Sequence, residues 1–148
     1  MSTNLGGSPQ TQLARKTSAL DGAANNGQLA APTITLFTVT GEVLIAALTA
    51  TCTETHVSAG AGTLALGITG NTAFFIAATV ATTIAAGEYW IDATPTEVNA
   101  ALVPAGFKDV WCTDSIIATV AVGDITDGTI RYDCYWLPLS ADGNVVAA

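Results

Sequence analysis

From Thr33 onward, apolar and β-branched side chains alternate with small or polar ones, and Gly or Asn interrupts the pattern about every ten residues. Few architectures accept such a chain. Successive side chains on a strand point to opposite faces, so each segment offers one face to a core and the other to solvent or a neighbour. Strands are expected near 33–40, 42–53, 62–69, 73–80, 87–92, 109–122 and 129–137. The clearest alternation sets Leu64, Leu66 and Ile68 against Ala65, Gly67 and Thr69. The expected fold is all-β, an antiparallel β-sandwich or jelly-roll-like single domain with an extended N-terminal arm, and 148 residues leave room for one such domain.

The turn chemistry supports this division. Gly41 follows Thr40 and suits a tight turn or a bulge, while Gly70-Asn71 and Asp127-Gly128 suit hairpin turns because these residues tolerate positive φ. Thr94-Pro95-Thr96-Glu97 has the form of a capped helix start, and either a short helix ending before Pro104 or a long loop fits the residues that follow. Residues 1–31 are rich in Gly, Ser, Asn and Gln, so they are expected to form a flexible arm ahead of a sandwich at 32–138. Pro138 ends the last strand, and 139–148 is expected to be a surface tail. There is no 20- to 50-residue repeat and no heptad pattern.

Charge narrows the function classes. Charged residues make up 11% of the chain and apolar residues 50%, so much of the exterior must be Thr, Ser, Asn, Ala and Gly. A surface of that kind suits faces covered by neighbouring subunits, because few charged groups need desolvating when they meet. The net charge is −8, and after residue 31 only Lys108 and Arg131 oppose all the acids except Asp21. With no basic stripe to neutralise phosphates, no nucleic-acid partner is expected, and an anionic membrane surface is disfavoured too. The run Ala73–Ala86 is apolar or Thr throughout, but it is shorter than the roughly 20 residues that span a bilayer, and no membrane partner is expected. The opening MSTNLGGSPQTQ has neither the basic start nor the apolar stretch of a secretory signal, so export by that route is not expected.

Chemistry-bearing residues are sparse. Cys52, Cys112 and Cys134 lie in no CxxC or Cys/His cluster. Their strand phases, Cys52 with Leu44 and Leu48, Cys112 with Val110 and Ile116, Cys134 with Ile130, Tyr132 and Trp136, mark all three as buried free thiols. If Asp127-Gly128 forms a two-residue turn, Cys134 faces Ala121 and not Cys112. The single histidine, His56 in TETHVSAG, has no nucleophile motif around it and reads as a solvated loop residue. Glu88 and Asp92 in EYWID share a strand phase about 7 Å apart beside two aromatics, a spacing open to glycosidase chemistry. The simpler expectation is that Tyr89 and Ile91 face the core and the acids face water. Gly123-Asp124-Ile125-Thr126-Asp127-Gly128 is the best candidate for calcium, yet it lacks the EF-hand spacing and uses residues that any strand connection uses. Trp90, Trp111 and Trp136 would form a carbohydrate platform only if exposed together. Trp111 is out of phase with its inward neighbours and is expected to project outward, where it can anchor a subunit contact. No catalytic residue, cofactor or metal site is expected.

The segments GEVLIAAL (41–48), LGITGNTAFFIAAT (66–79), AGEYWIDATP (86–95) and WLPLSADGNVVAA (136–148) together resemble small virion structural proteins of tailed bacteriophages. The resemblance is one of layout and of the closing LSADGNVV phrase, and it covers most of the chain after Pro32. It implies a non-enzymatic decoration or cement protein on the outer capsid surface, a homotrimer whose partner is the major capsid protein. A head or tail fibre or adaptor module is the alternative within the same particle, and a free carbohydrate-binding sandwich is the alternative outside it.

Overall fold

The structure is a computed structural model that describes residues 10–97 and 99–148. Its strands are β1 (Gln12–Ala19), β2 (Thr33–Thr40), β3 (Val43–Ser58), β4 (Thr63–Ile68), β5 (Asn71–Val80), β6 (Glu88–Tyr89), β7 (Thr96–Glu97), β8 (Val110–Cys112), β9 (Ile116–Ala121), β10 (Ile125–Pro138) and β11 (Asn144–Ala147). Two antiparallel sheets face each other. One has the order β1-β10-β3-β6-β7, with β8 also paired to β3, and the other has the order β11-β2-β9-β4-β5. This is a β-sandwich, as the alternation predicts. Its core is closed by Leu36 and Phe37 of β2, Ile45 and Leu48 of β3, Leu64 and Leu66 of β4, Ile76 of β5, Ile116 of β9 and Tyr132 and Cys134 of β10, all essentially without solvent contact.

The chain switches sheets at most of its turns. Gly41, at φ +61°, carries it from β2 to β3, and its Cα lies so close to Ser140 and Asp142 that a side chain there would strike both. β4 and β5 stay within one sheet as a hairpin with Thr69 and Gly70 at its tip, one residue earlier than the sequence suggests. β5 spends more residues than β4 across the same ladder, and its first half folds over Gly67, where any Cβ would collide with the backbone of Asn71 and Thr72.

Several sequence expectations are corrected. The described part of the expected arm is integrated into the body: β1 pairs with β10 without a break from Gln12↔Trp136 to Ala19↔Thr129, and Leu20 is buried. Composition hid this strand because its inward positions, Ala14 and Ser18, are small. Residues 1–9 lie outside the described residues. The expected tail also belongs to the body, since β11 pairs with β2 and Val145 is buried, while Ser140 Oγ accepts the Glu42 N–H at 2.8 Å. The segment 109–122 divides into β8 and β9 in different sheets, turning at Thr113–Ser115. Asp127-Gly128 is an irregularity inside β10, not a hairpin turn. Consequently β9 and β10 are not partners, and Cys134 lies opposite Ala14 and Leu48 instead of Ala121. The Thr94–Glu97 segment starts no helix: Thr96 and Glu97 pair with Tyr89 and Glu88.

Candidate functional site

The residues singled out in the sequence do not come together. β3 runs on to Ser58 and takes His56 into the interior, where it is 2% exposed, so the reading of a solvated loop histidine is overturned. Its ring covers Gly128, whose φ is +118° and where a Cβ would stand 2.6 Å from the ring. His56 Nδ1 lies 3.2 Å from the Ile84 carbonyl and 3.8 Å from Cys52 Sγ, while Nε2 has no partner among the described residues. A Cys–His pair suggests nucleophilic chemistry, but the electrostatics oppose it. Burial pushes the Cys52 thiol up to about 11 and holds the imidazole below its ordinary value, so thiolate and imidazolium are both disfavoured. Cys112 and Cys134 are likewise buried free thiols, with burial raising both and Cys134 reaching about 12.

The buried histidine makes acid stability testable. Its proton affinity is depressed by burial, so below its ordinary value near 6.5 the unfolded chain takes up a proton that the folded chain resists. Stability contributed by the neutral ring is therefore full above that pH and declines as pH falls toward the depressed value. His56 is the only histidine, and carboxylates titrate mainly below about pH 5. The urea midpoint is expected to fall between pH 7 and 5.5 in the wild type and to stay nearly level in H56Q. Parallel curves for the two proteins would contradict the assignment.

The carboxylate candidates serve local backbone. Glu88 accepts the Ala85 N–H at 2.9 Å and Asp92 the Thr94 N–H at 2.6 Å, so neither is held against the other. The phase expected for EYWID is reversed: Trp90 points into the core at 0% exposure, while Tyr89 and Ile91 are half-buried at the surface. In the 123–128 loop, Asp124 accepts the Leu29 N–H at 2.7 Å and Asp127 accepts the Gly128 N–H at 2.9 Å. No cluster of three potential metal ligands occurs among the described residues. The tryptophans form no platform, because Trp136 is buried with Trp90 and only Trp111 projects, at 68% exposure.

A different site emerges on the outer face of the sheet that holds β1, β10 and β3. There the outward positions of adjacent strands bring Arg15 beside Asp133 and Asp133 beside Thr49, and one step along they bring Arg131 beside Thr51 and Thr51 beside Tyr89. The result is a cleft of about 330 Å³, walled by Ala101, Leu102 and Val103 and completed by Ile91 and Tyr135. Asp133 is its pivot. Its side chain is 7% exposed, and its two oxygens accept from Arg15 Nε and, at 3.2 Å, from Arg131 Nε. The wall is held from behind, since Val103 packs on the core and Phe107 is buried against Phe75 with ring centroids 5.5 Å apart. Sequence reading missed this site because its members are scattered from Arg15 to Tyr135 with no local motif. The available signal was Arg131-x-Asp133-x-Tyr135, a polar set alternating with Ile130, Tyr132, Cys134 and Trp136 in a chain that has few charges. No protein-family model, curated protein or solved structure matches this chain.

Proposed function

We propose that the chain is a non-enzymatic structural subunit of a larger assembly, a virion protein of the tailed-phage kind that decorates the outer face of a capsid as a trimer. The observation that carries this reading is β5. It is an edge strand of ten residues, NTAFFIAATV, with no charged side chain and no proline. Phe74 and Val80 stand 44% and 40% exposed on it, and no charge occurs anywhere between Glu54 and Glu88. An exposed edge normally carries Lys or Pro to prevent pairing with another chain, and here the ladder to β4 is interrupted only by the irregularities between Leu64 and Leu66 and between Leu66 and Ile68. Such an edge suits a strand that is covered in the working state. Trp111, projecting from β8, supplies an aromatic anchor on the opposite sheet.

Light scattering on the purified chain is expected to give three chain masses, and the protein is expected to co-sediment with empty tailed-phage capsid shells. Placing a charge on the exposed edge in A77K is expected to shift the population to monomer, with an unchanged circular dichroism spectrum, and to weaken shell binding at least tenfold. A wild-type monomer that leaves the shells alone would refute the proposal.

A further inference from the structure

We propose that the Arg15–Asp133–Arg131 cleft is a binding site for a carboxylate-bearing sugar unit. The cleft faces away from the sandwich core and is built on the sheet opposite β5, so this goes beyond the assembly reading and does not depend on it.

Charge comes first. The chain has four Lys and Arg residues in all, and two of them converge here on a single carboxylate, which leaves the cleft one positive charge in excess on a molecule of net charge −8. That local excess favours an anionic group at this place, while of the other two cations Lys16 is engaged with the Ala148 carbonyl and Lys108 is followed directly by Asp109. Asp133 is a poor acceptor for a ligand, because its side chain is nearly closed to solvent and each oxygen already faces an arginine. What remains are donors. Each arginine spends Nε on Asp133, so the Nη groups of both, on side chains 52% and 41% exposed, have no protein partner among the described residues. A guanidinium offering paired N–H groups is the side chain that recognises a planar carboxylate best.

The rest of the lining selects what carries that carboxylate. Thr49, Thr51, Tyr89 and Tyr135 present hydroxyls that make no protein hydrogen bond among the described residues, and these suit a ligand with several hydroxyls of its own. Tyr89, Tyr135, Ile91 and Leu102 supply flat or apolar surface for the C–H face of a ring, and the Leu102 side chain, 91% exposed, is open to cover one. The volume sits at the lower end of the roughly 300–1,000 Å³ typical of ligand sites, which fits a mono- or disaccharide unit, terminal or within a chain.

The test uses the full chain with sodium D-glucuronate, D-glucose and inorganic phosphate at equal ionic strength, followed by calorimetry and by tyrosine ring proton shifts. Glucuronate is expected to bind saturably and at least tenfold more tightly than either glucose or phosphate. R131Q is expected to weaken it at least tenfold. L102D, at a position with no role in the core, is expected to do the same with the fold intact. Equal binding of glucose would show that the arginines are not read, and equal binding of phosphate would reduce the site to a bare anion contact. Either result overturns the proposal, as does glucuronate binding that both variants leave unchanged or the absence of saturable binding.

Discussion

Replacing Trp90 with alanine is expected to lower the unfolding free energy by about 3–5 kcal/mol, the range for deleting a large aromatic from a packed core. The effect belongs at the top of that range because Trp90 does two jobs. Its side chain fills the core at 0% exposure, while its backbone N–H, which alanine would keep, donates to the Ala50 carbonyl at 2.9 Å. Its indole N–H crosses the sandwich to donate to Thr79 Oγ1 of β5 at 3.0 Å, and both residues are buried, at 0% and 1% exposure. A single side chain thus fills space between the sheets and ties a polar pair across them. For a domain of this size the loss corresponds to roughly 6–20 °C in Tm. W90F keeps much of the ring volume but leaves the Thr79 hydroxyl without its donor, and about 1–3 kcal/mol is expected. Adding T79V to W90F removes the stranded partner and is expected to restore part of the loss, because deleting both members of a buried pair costs less than deleting one. Urea unfolding of the four proteins measures this series. A W90A cost below about 1 kcal/mol would mean that the sheets are not joined through this residue.

Trp90 also shows where sequence reading stopped. Period-two alternation located the long strands because their inward residues are large: Leu64 and Leu66 in β4, and Ile130, Tyr132, Cys134 and Trp136 in β10, are buried as their phase requires. Phase is fragile, however, wherever a bulge intervenes. Strict alternation puts Cys52 in phase with Leu44 and Leu48, but the β3–β10 ladder slips between Ile45 and Ala47, so Val43 and Ile45 are inward and Leu44 is not. In EYWID the strand is only two residues long, so alternation within it is too short to read, and its phase follows from the pairing of Tyr89 with Thr51 of β3. Sheet membership was equally hidden. Val110–Cys112 and Ile116–Ala121 read as one strand, and nothing in Thr113-Asp114-Ser115 announces that the chain changes sheets there. The Arg15–Asp133 pair is the extreme case: its two halves are 118 residues apart, and neither has a sequence neighbour that points to the other. The Arg15 side of the cleft was therefore illegible for the same reason that β1 was, since both depend on the pairing of β1 with β10.

That pairing can be removed. A chain lacking residues 1–20 is expected to lose at least about 3 kcal/mol of stability relative to one beginning at Gln10, which keeps all of β1. Leu20 is 5% exposed and its N–H donates to the Gly128 carbonyl at 2.8 Å, and burial of a leucine alone is worth about 1.5–3 kcal/mol. Asp133 loses Arg15, one of two charge-assisted hydrogen bonds to a carboxylate that stays nearly buried, which destabilises the body further. Arg131 remains at 3.2 Å and keeps the carboxylate from being stranded entirely. Beyond these local terms, deletion turns β10 from Thr129 to Trp136 into an open edge, and a newly exposed edge pairs readily with another chain. The truncated protein is therefore expected to show a lower urea midpoint and concentration-dependent aggregation on warming, with the glucuronate response of the cleft lost as well. A flexible arm makes the opposite prediction, because removing a tether leaves the midpoint of the body where it was. Coincident unfolding curves for the two chains would restore the arm and dismiss β1. A separation of the expected size would make the N-terminal strand part of the fold, and would place any weakening of subunit contacts in that variant downstream of a damaged sheet and not of a missing grip.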